Sequence, residues 1–336
     1  MTHSPAANAL HLVSIGRASE ALAILRSAGD RGDVDAIMQL AVWHLAGDVV
    51  ARDLVQARAL LARAVSIGHV DAALMEIALT ANGSGGTPDW PGAVSLLRTA
   101  ARADPVALGQ LTLLDAMAID AAGAPTALPV PETLSETPDV IRFPRLLTAA
   151  ECAHLAGVAA AMLEPARVID PRTGRWIAHP IRTSDGTAIG PAREDLVVRA
   201  INRRIAAASG TDIGQGEPLT VLRYRPGQQY RLHLDTIQDA ANQRVATVLV
   251  YLNEGYGGGE THFPAGNLTI TPRGGDAIVF RTLTTDGAID QSSRRAGLPV
   301  THGAKWLATR WIRADPIDPW TISQPPTPDR TAGRDR

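Results

Sequence analysis

LTVLRYRPGQQYRLHLD, residues 219–235, ends in His233-Leu234-Asp235, an imidazole and a carboxylate two residues apart. On a β-strand a period of two sends both side chains to one face, where they can share a single metal ion. A neutral nitrogen with a hard anionic oxygen is the start of the two-histidine, one-carboxylate set that leaves positions open on non-haem Fe(II). Alone the pair is a weak signal, because His-X-Asp arises by chance and a surface His beside a surface Asp is the plain alternative. What surrounds it gives it weight.

Upstream lies RTSDG at residues 182–186. Downstream come RVATVLVYLN at 244–253, a glycine turn with GGETHFP at 258–264, GGDAIVF at 274–280 and GLPVTHGAKWLATRWIR at 297–313. In order and spacing these motifs resemble the prolyl 4-hydroxylase branch of the Fe(II)/2-oxoglutarate dioxygenases, over about residues 141–313. The resemblance implies a double-stranded β-helix, or jelly roll, with flanking helices. It implies Fe(II) held by His233 and Asp235, 2-oxoglutarate as co-substrate and ascorbate to keep the iron reduced. It implies hydroxylation of a C–H bond in a prolyl peptide or protein, coupled to 2-oxoglutarate decarboxylation.

The same resemblance assigns roles residue by residue. Tyr224 and Tyr230 stand in a YxxGxxY pattern, Tyr224 near the co-substrate and Tyr230 near the substrate entrance. Strand aromatics of a jelly roll are the structural alternative. Gly303, Lys305, Trp306 and Trp311 reproduce GxKWxxxxW, whose lysine holds the distal carboxylate of 2-oxoglutarate. A buried ammonium needs an anion, while an exposed strand-end lysine does not. Arg182 lies beside the mouth, as a substrate contact or a salt-bridge partner.

One position departs from the pattern. The second histidine, due ten residues before Lys305, falls on Arg295. Arginine stays protonated and has no acceptor, so it does not replace imidazole as a metal ligand. His302 is no substitute, because seven residues of extended strand carry it roughly 23 Å away. Guanidinium and Fe(II) would repel. Either Arg295 swings outward and water completes a weakened iron site, or its fork pairs with Asp235 in the metal's place. The outward arrangement is the expectation, since Lys305 and the other motif residues are all present. A catalytically impaired relative, acting as a peptide-binding or scaffold module, is the alternative function.

The whole chain sets bounds. Its 336 residues are 45% hydrophobic and 20% charged, ordinary for a globular protein and long enough for two domains. The net charge is −2, and no basic block points to nucleic acid. No basic-then-apolar leader and no run of membrane-spanning length stands out, so the cytoplasm is the expected compartment. Cys152 is the single cysteine, which excludes an internal disulfide.

The first third repeats itself. GDVDAIMQLA at residue 32 returns as GHVDAALMEIA at residue 68, and Ala21, Ala57 and Ala93 sit in matching contexts. A period near 36 with small residues at close approaches predicts helix pairs, similar to the Sel1-like tetratricopeptide repeats. An irregular helical domain is the alternative, all-α as well. Such a stack offers a surface for a protein partner. The expected organisation is helical repeats over 1–120, a linker rich in Ala, Pro and Thr over 121–140, the dioxygenase domain over 141–320 and a disordered tail over 321–336. Thr148 and Glu151 predict a capping box opening a helix over 147–163, and another helix is due over 193–209. The run from Val245 to Leu252 reads as a strand buried on both faces. His262, beside Phe263, reads as structural.

Overall fold

The computed structural model describes residues 4–169, 176–271 and 273–321. The chain divides into two compact units, residues 1–126 with 191–200 and residues 127–190 with 201–336. Most of the expected tail lies outside the described residues.

The first unit is built from α1 (Pro5–Ser14), α2 (Ala18–Asp30), α3 (Val34–Ala46), α4 (Leu54–Ser66), α5 (Val70–Asn82), α6 (Trp90–Ala100) and α7 (Pro105–Asp115). Helices α2, α4 and α6 begin 36 residues apart, as do α3 and α5, so the sequence period is a structural period. Equivalent positions carry equivalent burial: Ala21, Ala57 and Ala93, and four residues on Leu25, Leu61 and Leu97, are all fully buried. Alanine lets neighbouring helices approach, and leucine one turn later fills the space this leaves. Asp53 and Asp89 cap α4 and α6, and Gly47 and Gly83 close α3 and α5 at φ 78° and 79°, where a side chain would be strained.

The second unit carries β1 (Glu132–Glu136), β2 (Asp139–Phe143), β3 (Glu164–Pro165), β4 (Arg167–Ile169), β5 (Trp176–Ala178), β6 (Asp185–Ile189), β7 (Leu219–Tyr224) and β8 (Tyr230–His233). It continues with β9 (Arg244–Tyr251), β10 (Gly257–Gly258), β11 (Thr261–Phe263), β12 (Leu268–Ile270), β13 (Ala277–Arg281), β14 (Arg295–Gly297), β15 (Val300–His302) and β16 (Lys305–Arg313). Eight form an antiparallel sheet in the order β1-β2-β13-β9-β16-β7-β6-β3, and four form a smaller one, β12-β11-β14-β8. Phe263 and Ile270 of the small sheet share one core cluster with Tyr224, Leu249, Phe280 and Leu307 of the large one. Two antiparallel sheets closed over a common core are the jelly roll expected. Strand β9 lies between β13 and β16 and is buried from Ala246 to Tyr251, which explains why its sequence is apolar on both faces.

Helix α8 (Ala149–Ala160) opens with the expected capping box: the Thr148 hydroxyl accepts the Glu151 N–H, and Glu151 accepts the Thr148 N–H at 2.7 Å. Helix α9 (Leu196–Ser209) starts three residues later than expected, after a 3-10 turn at Pro191–Arg193. The stretch read as a linker is different. Strands β1 and β2 occupy much of 132–143, and β2 pairs with β13 and buries Val140. The outer strand β1 tolerates the Thr and Glu that hide it from a hydrophobic-period reading.

Candidate active site

His233 ends β8, and the register of β8 with β14 sets Arg295 directly opposite it. The position due for the second histidine therefore faces the first. His233, Asp235 and Arg295 are all buried. The His233 Nδ1 lies 2.7 Å from the Arg231 carbonyl, which can only accept, so Nδ1 carries the proton and Nε2 presents its lone pair inward. Burial, then the charge of Arg295, depresses the imidazole pKa and keeps this form. Nε2 is 3.4 Å from Asp235 Oδ1 and makes no hydrogen bond.

Arg295 faces inward. Its Nη2 donates to Asp235 Oδ2 at 2.9 Å and Oδ1 at 3.2 Å, while the Thr247 hydroxyl donates to Oδ2 at 2.8 Å. The expectation of an outward swing is corrected, for two physical reasons. Pleat alternation places residue 295 on the inner face, and the guanidinium lies over the Phe280 ring at 5.1 Å. An Asp235 abandoned in this interior would be an uncompensated buried charge. Burial alone would raise the Asp235 pKa; the Arg295 charge outweighs it and holds the carboxyl well below its usual range. The pair uses one nitrogen for both oxygens, so the fork is only half spent, and Arg295 Nε is buried without a partner.

Fe(II) in a two-histidine, one-carboxylate centre does not fit these residues. Among the described residues no cluster of three or more His, Cys, Asp or Glu could hold a metal. The third position is a guanidinium without a lone pair, hydrogen-bonded to the carboxylate that would have to ligate. His302 lies on β15, exposed and paired with Gly257, and contributes nothing here.

Lys305 opens β16, with Tyr224 as its register partner on β7. It is 2% exposed; its Nζ donates to the Gly259 carbonyl at 2.6 Å and lies 5.1 Å and 5.7 Å from the Tyr251 and Tyr224 ring centres. Burial, then Arg295, pushes its pKa down to about 7. Burial also pushes the Tyr224 hydroxyl up to about 12. Gly259, at φ 72°, permits this approach, since a Cβ there would stand 3.1 Å from Lys305 Cδ. The motif's two tryptophans have another role: Arg223 covers Trp306 and Arg244 covers Trp311, at 5.6 Å and 4.2 Å.

Tyr230 stacks on the His233 ring with centroids 3.4 Å apart and planes 11° from parallel. Arg182 bridges Tyr230 through its backbone and sets its guanidinium 5.7 Å from that ring. Thus Arg182, Tyr230, His233, Asp235 and Arg295 form one group. Lys305 and Tyr224 form a second, linked to the first through the field of Arg295. Sequence reasoning missed Thr247, Gly259, Tyr251 and Phe280. Thr247, the one threonine in an apolar strand, was the readable signal; Gly259 was seen only as a turn. Cys152 is buried, and burial pushes its thiol up to about 12, in keeping with packing. His262 binds the Thr269 hydroxyl at 2.9 Å, outside the site.

The 2OG-Fe(II) oxygenase superfamily profile matches residues 219–313. The chain is 35% identical over 206 residues to a probable prolyl 4-hydroxylase 10 of Arabidopsis thaliana, covering 54% of this chain and 71% of that one. It is 36% identical over 202 residues to prolyl 4-hydroxylase 1 of the same plant, with the same coverages. Among solved structures, a viral collagen prolyl hydroxylase of Paramecium Bursaria Chlorella virus-1 in complex with 2OG matches at 29% identity and TM-score 0.43, covering 52% of this chain and 96% of that one. A Sel1 repeat protein of Oxalobacter formigenes matches 28% of the chain, and 71% of its own, at 26% identity and TM-score 0.26. By its sequence relatives this chain belongs to the prolyl 4-hydroxylase family of the 2OG-Fe(II) oxygenases, and it is a prolyl hydroxylase-like dioxygenase with arginine at the position of the second histidine.

Proposed function

We propose that the barrel takes 2-oxoglutarate at Lys305 and a prolyl peptide at the mouth marked by Tyr230 and Arg182. The relatives' activity, C–H hydroxylation coupled to 2-oxoglutarate decarboxylation, comes to this chain only if Fe(II) binds in spite of the Arg295–Asp235 pair, and succinate formation tests that. The observation that carries it is Lys305: an amine buried in the core, hydrogen-bonded to a carbonyl, with no carboxylate in ion-pair reach among the described residues, which an arriving anion holds as the ammonium. The prolyl substrate follows the relatives' names as prolyl 4-hydroxylases and Fe(II) the family profile, while ascorbate rests on the sequence resemblance alone. The chain's own residues bind and orient. Lys305 takes the distal carboxylate, Tyr224 walls it, and Tyr230 on His233 presents an aromatic face to the incoming peptide. The helical unit supplies a repeat surface for the protein that carries the peptide.

A second reading, peptide binding without turnover, is favoured by the Arg295–Asp235 pair. Succinate formation from 2-oxoglutarate with Fe(II), ascorbate and a proline-rich peptide separates the two. Peptide-stimulated succinate supports the hydroxylase; peptide binding with succinate at the no-protein background supports the binding module. Loss of 2-oxoglutarate binding in Lys305→Met is expected under both, and unchanged binding would refute the assignment of Lys305.

A further inference from the structure

The interior of the site holds more positive than negative charge. Arg295 enters from β14 over Phe280, and Lys305 from β16 over Tyr224 and Tyr251, and these three rings belong to one core cluster. Asp235 answers Arg295, whereas Lys305 makes no ion pair with a carboxylate among the described residues and feels Glu260 only through a field weaker than that of Arg295. Hydrogen-bond capacity is also unspent. Arg295 Nε is buried without a partner, and the Gly259 carbonyl takes one of the three protons on Lys305 Nζ. An unpaired buried donor costs free energy in an idle core, and Arg295 Nε with the remaining protons on Lys305 Nζ leaves donor capacity for an anion with acceptors for each.

We propose that the wild-type chain binds a short dicarboxylate without any divalent metal, one carboxylate on Lys305 and the other on the free edge of Arg295, and that it therefore does not select for a 2-oxo group. The proposal rests on the reading of Lys305 as the 2-oxoglutarate residue. A metal recognises a 2-oxo acid by binding the ketone and its neighbouring carboxylate together. Guanidinium recognises the carboxylate through paired N–H donors and offers a ketone one ordinary hydrogen bond at most. Glutarate, which has both carboxylates and no ketone, is thus the discriminating probe.

The test is calorimetric titration of the full chain in EDTA. Both 2-oxoglutarate and glutarate should bind, with affinities within about fivefold, the worth of one neutral hydrogen bond. Replacing EDTA with Mn(II) should leave both affinities unchanged, and the protein should leave the magnetic resonance signal of free Mn(II) undiminished. Arg295→His places an imidazole opposite His233; it should deplete that signal and, with Mn(II), prefer 2-oxoglutarate by more than about tenfold, or 1.4 kcal/mol. If this variant does not fold, the wild-type titrations decide alone. Wild-type binding that requires Mn(II), or that favours 2-oxoglutarate over glutarate more than about tenfold, overturns the inference and leaves the Lys305 reading standing. No binding of either ligand, with or without Mn(II), overturns both.

Discussion

Arg295→Met tests what the guanidinium does for Asp235. The substitution keeps apolar volume over Phe280 and leaves a buried carboxylate with the Thr247 hydroxyl at 2.8 Å and an imidazole nitrogen at 3.4 Å. Deleting one partner of a buried pair costs about 3–5 kcal/mol. Asp235 has an escape that caps the loss: it can take up a proton, and keeping a carboxyl of ordinary pKa neutral at pH 7 costs roughly 4 kcal/mol. The sign of the pH dependence follows. In wild type the folded pKa of Asp235 lies below the unfolded value, so its contribution is complete above the unfolded pKa and is lost as pH falls through the folded one. In the variant the folded pKa lies above the unfolded value, so the penalty is absent in acid and grows as pH rises. The stability difference between the two proteins should thus grow from about 1.5 kcal/mol near pH 5 to about 4 near pH 7. Urea unfolding of the full chain, followed by tryptophan fluorescence, measures it. The double variant Asp235→Asn/Arg295→Met, which removes both charges, should recover most of the loss. A difference that stays flat with pH, or a double variant no more stable than Arg295→Met, would refute the pairing.

Lys305 gives a second pH signature. Its folded pKa is about 7 against 10.5 ordinarily, so without ligand the unfolded chain holds the proton and the folded chain does not across that interval, and this group's contribution to stability rises with pH there. Dicarboxylate binding restores the charge. Calorimetry in buffers of different ionisation heat should show proton uptake above about pH 7, with affinity falling by up to about tenfold per pH unit; pH-independent affinity would contradict it. Gly259→Ala puts a side chain at positive φ against Lys305 and should cost about 1–3 kcal/mol by thermal melting while weakening dicarboxylate binding. Wild-type stability and affinity in that variant would show that the glycine is dispensable. Cys152 should stay unmodified by iodoacetamide in the native chain near neutral pH and react once unfolded, since its thiol is buried and held up at about 12.

How far the sequence could be read depended on whether a feature was local. Period carried the helical unit: small and large apolar residues recur at a fixed interval, and each is buried in its own repeat. Period also carried β9, whose neighbours cover both faces. The hairpin of β1 and β2 was hidden, because its pairing with β13 depends on a strand well over a hundred residues away while its own composition is that of a loop. In the site, His233 and Asp235 were legible as neighbours on one strand. The opposition of Arg295 to His233 was legible only through motif spacing. Which way Arg295 would turn was not. That choice is set by what Asp235 would otherwise lack, and by an aromatic ring on β13 that no spacing places beneath it. Weighing motif completeness favoured the outward turn, on the premise that intact neighbours imply an intact metal centre. Electrostatics argues the other way. The better the rest of the pocket is preserved, the more buried Asp235 becomes, and the more strongly it holds the Arg295 guanidinium. With imidazole at position 295 that carboxylate would be free for a metal; with guanidinium its charge is already answered. A single substitution can thus leave every strand in place and exchange a metal for a side chain as the positive centre of the site.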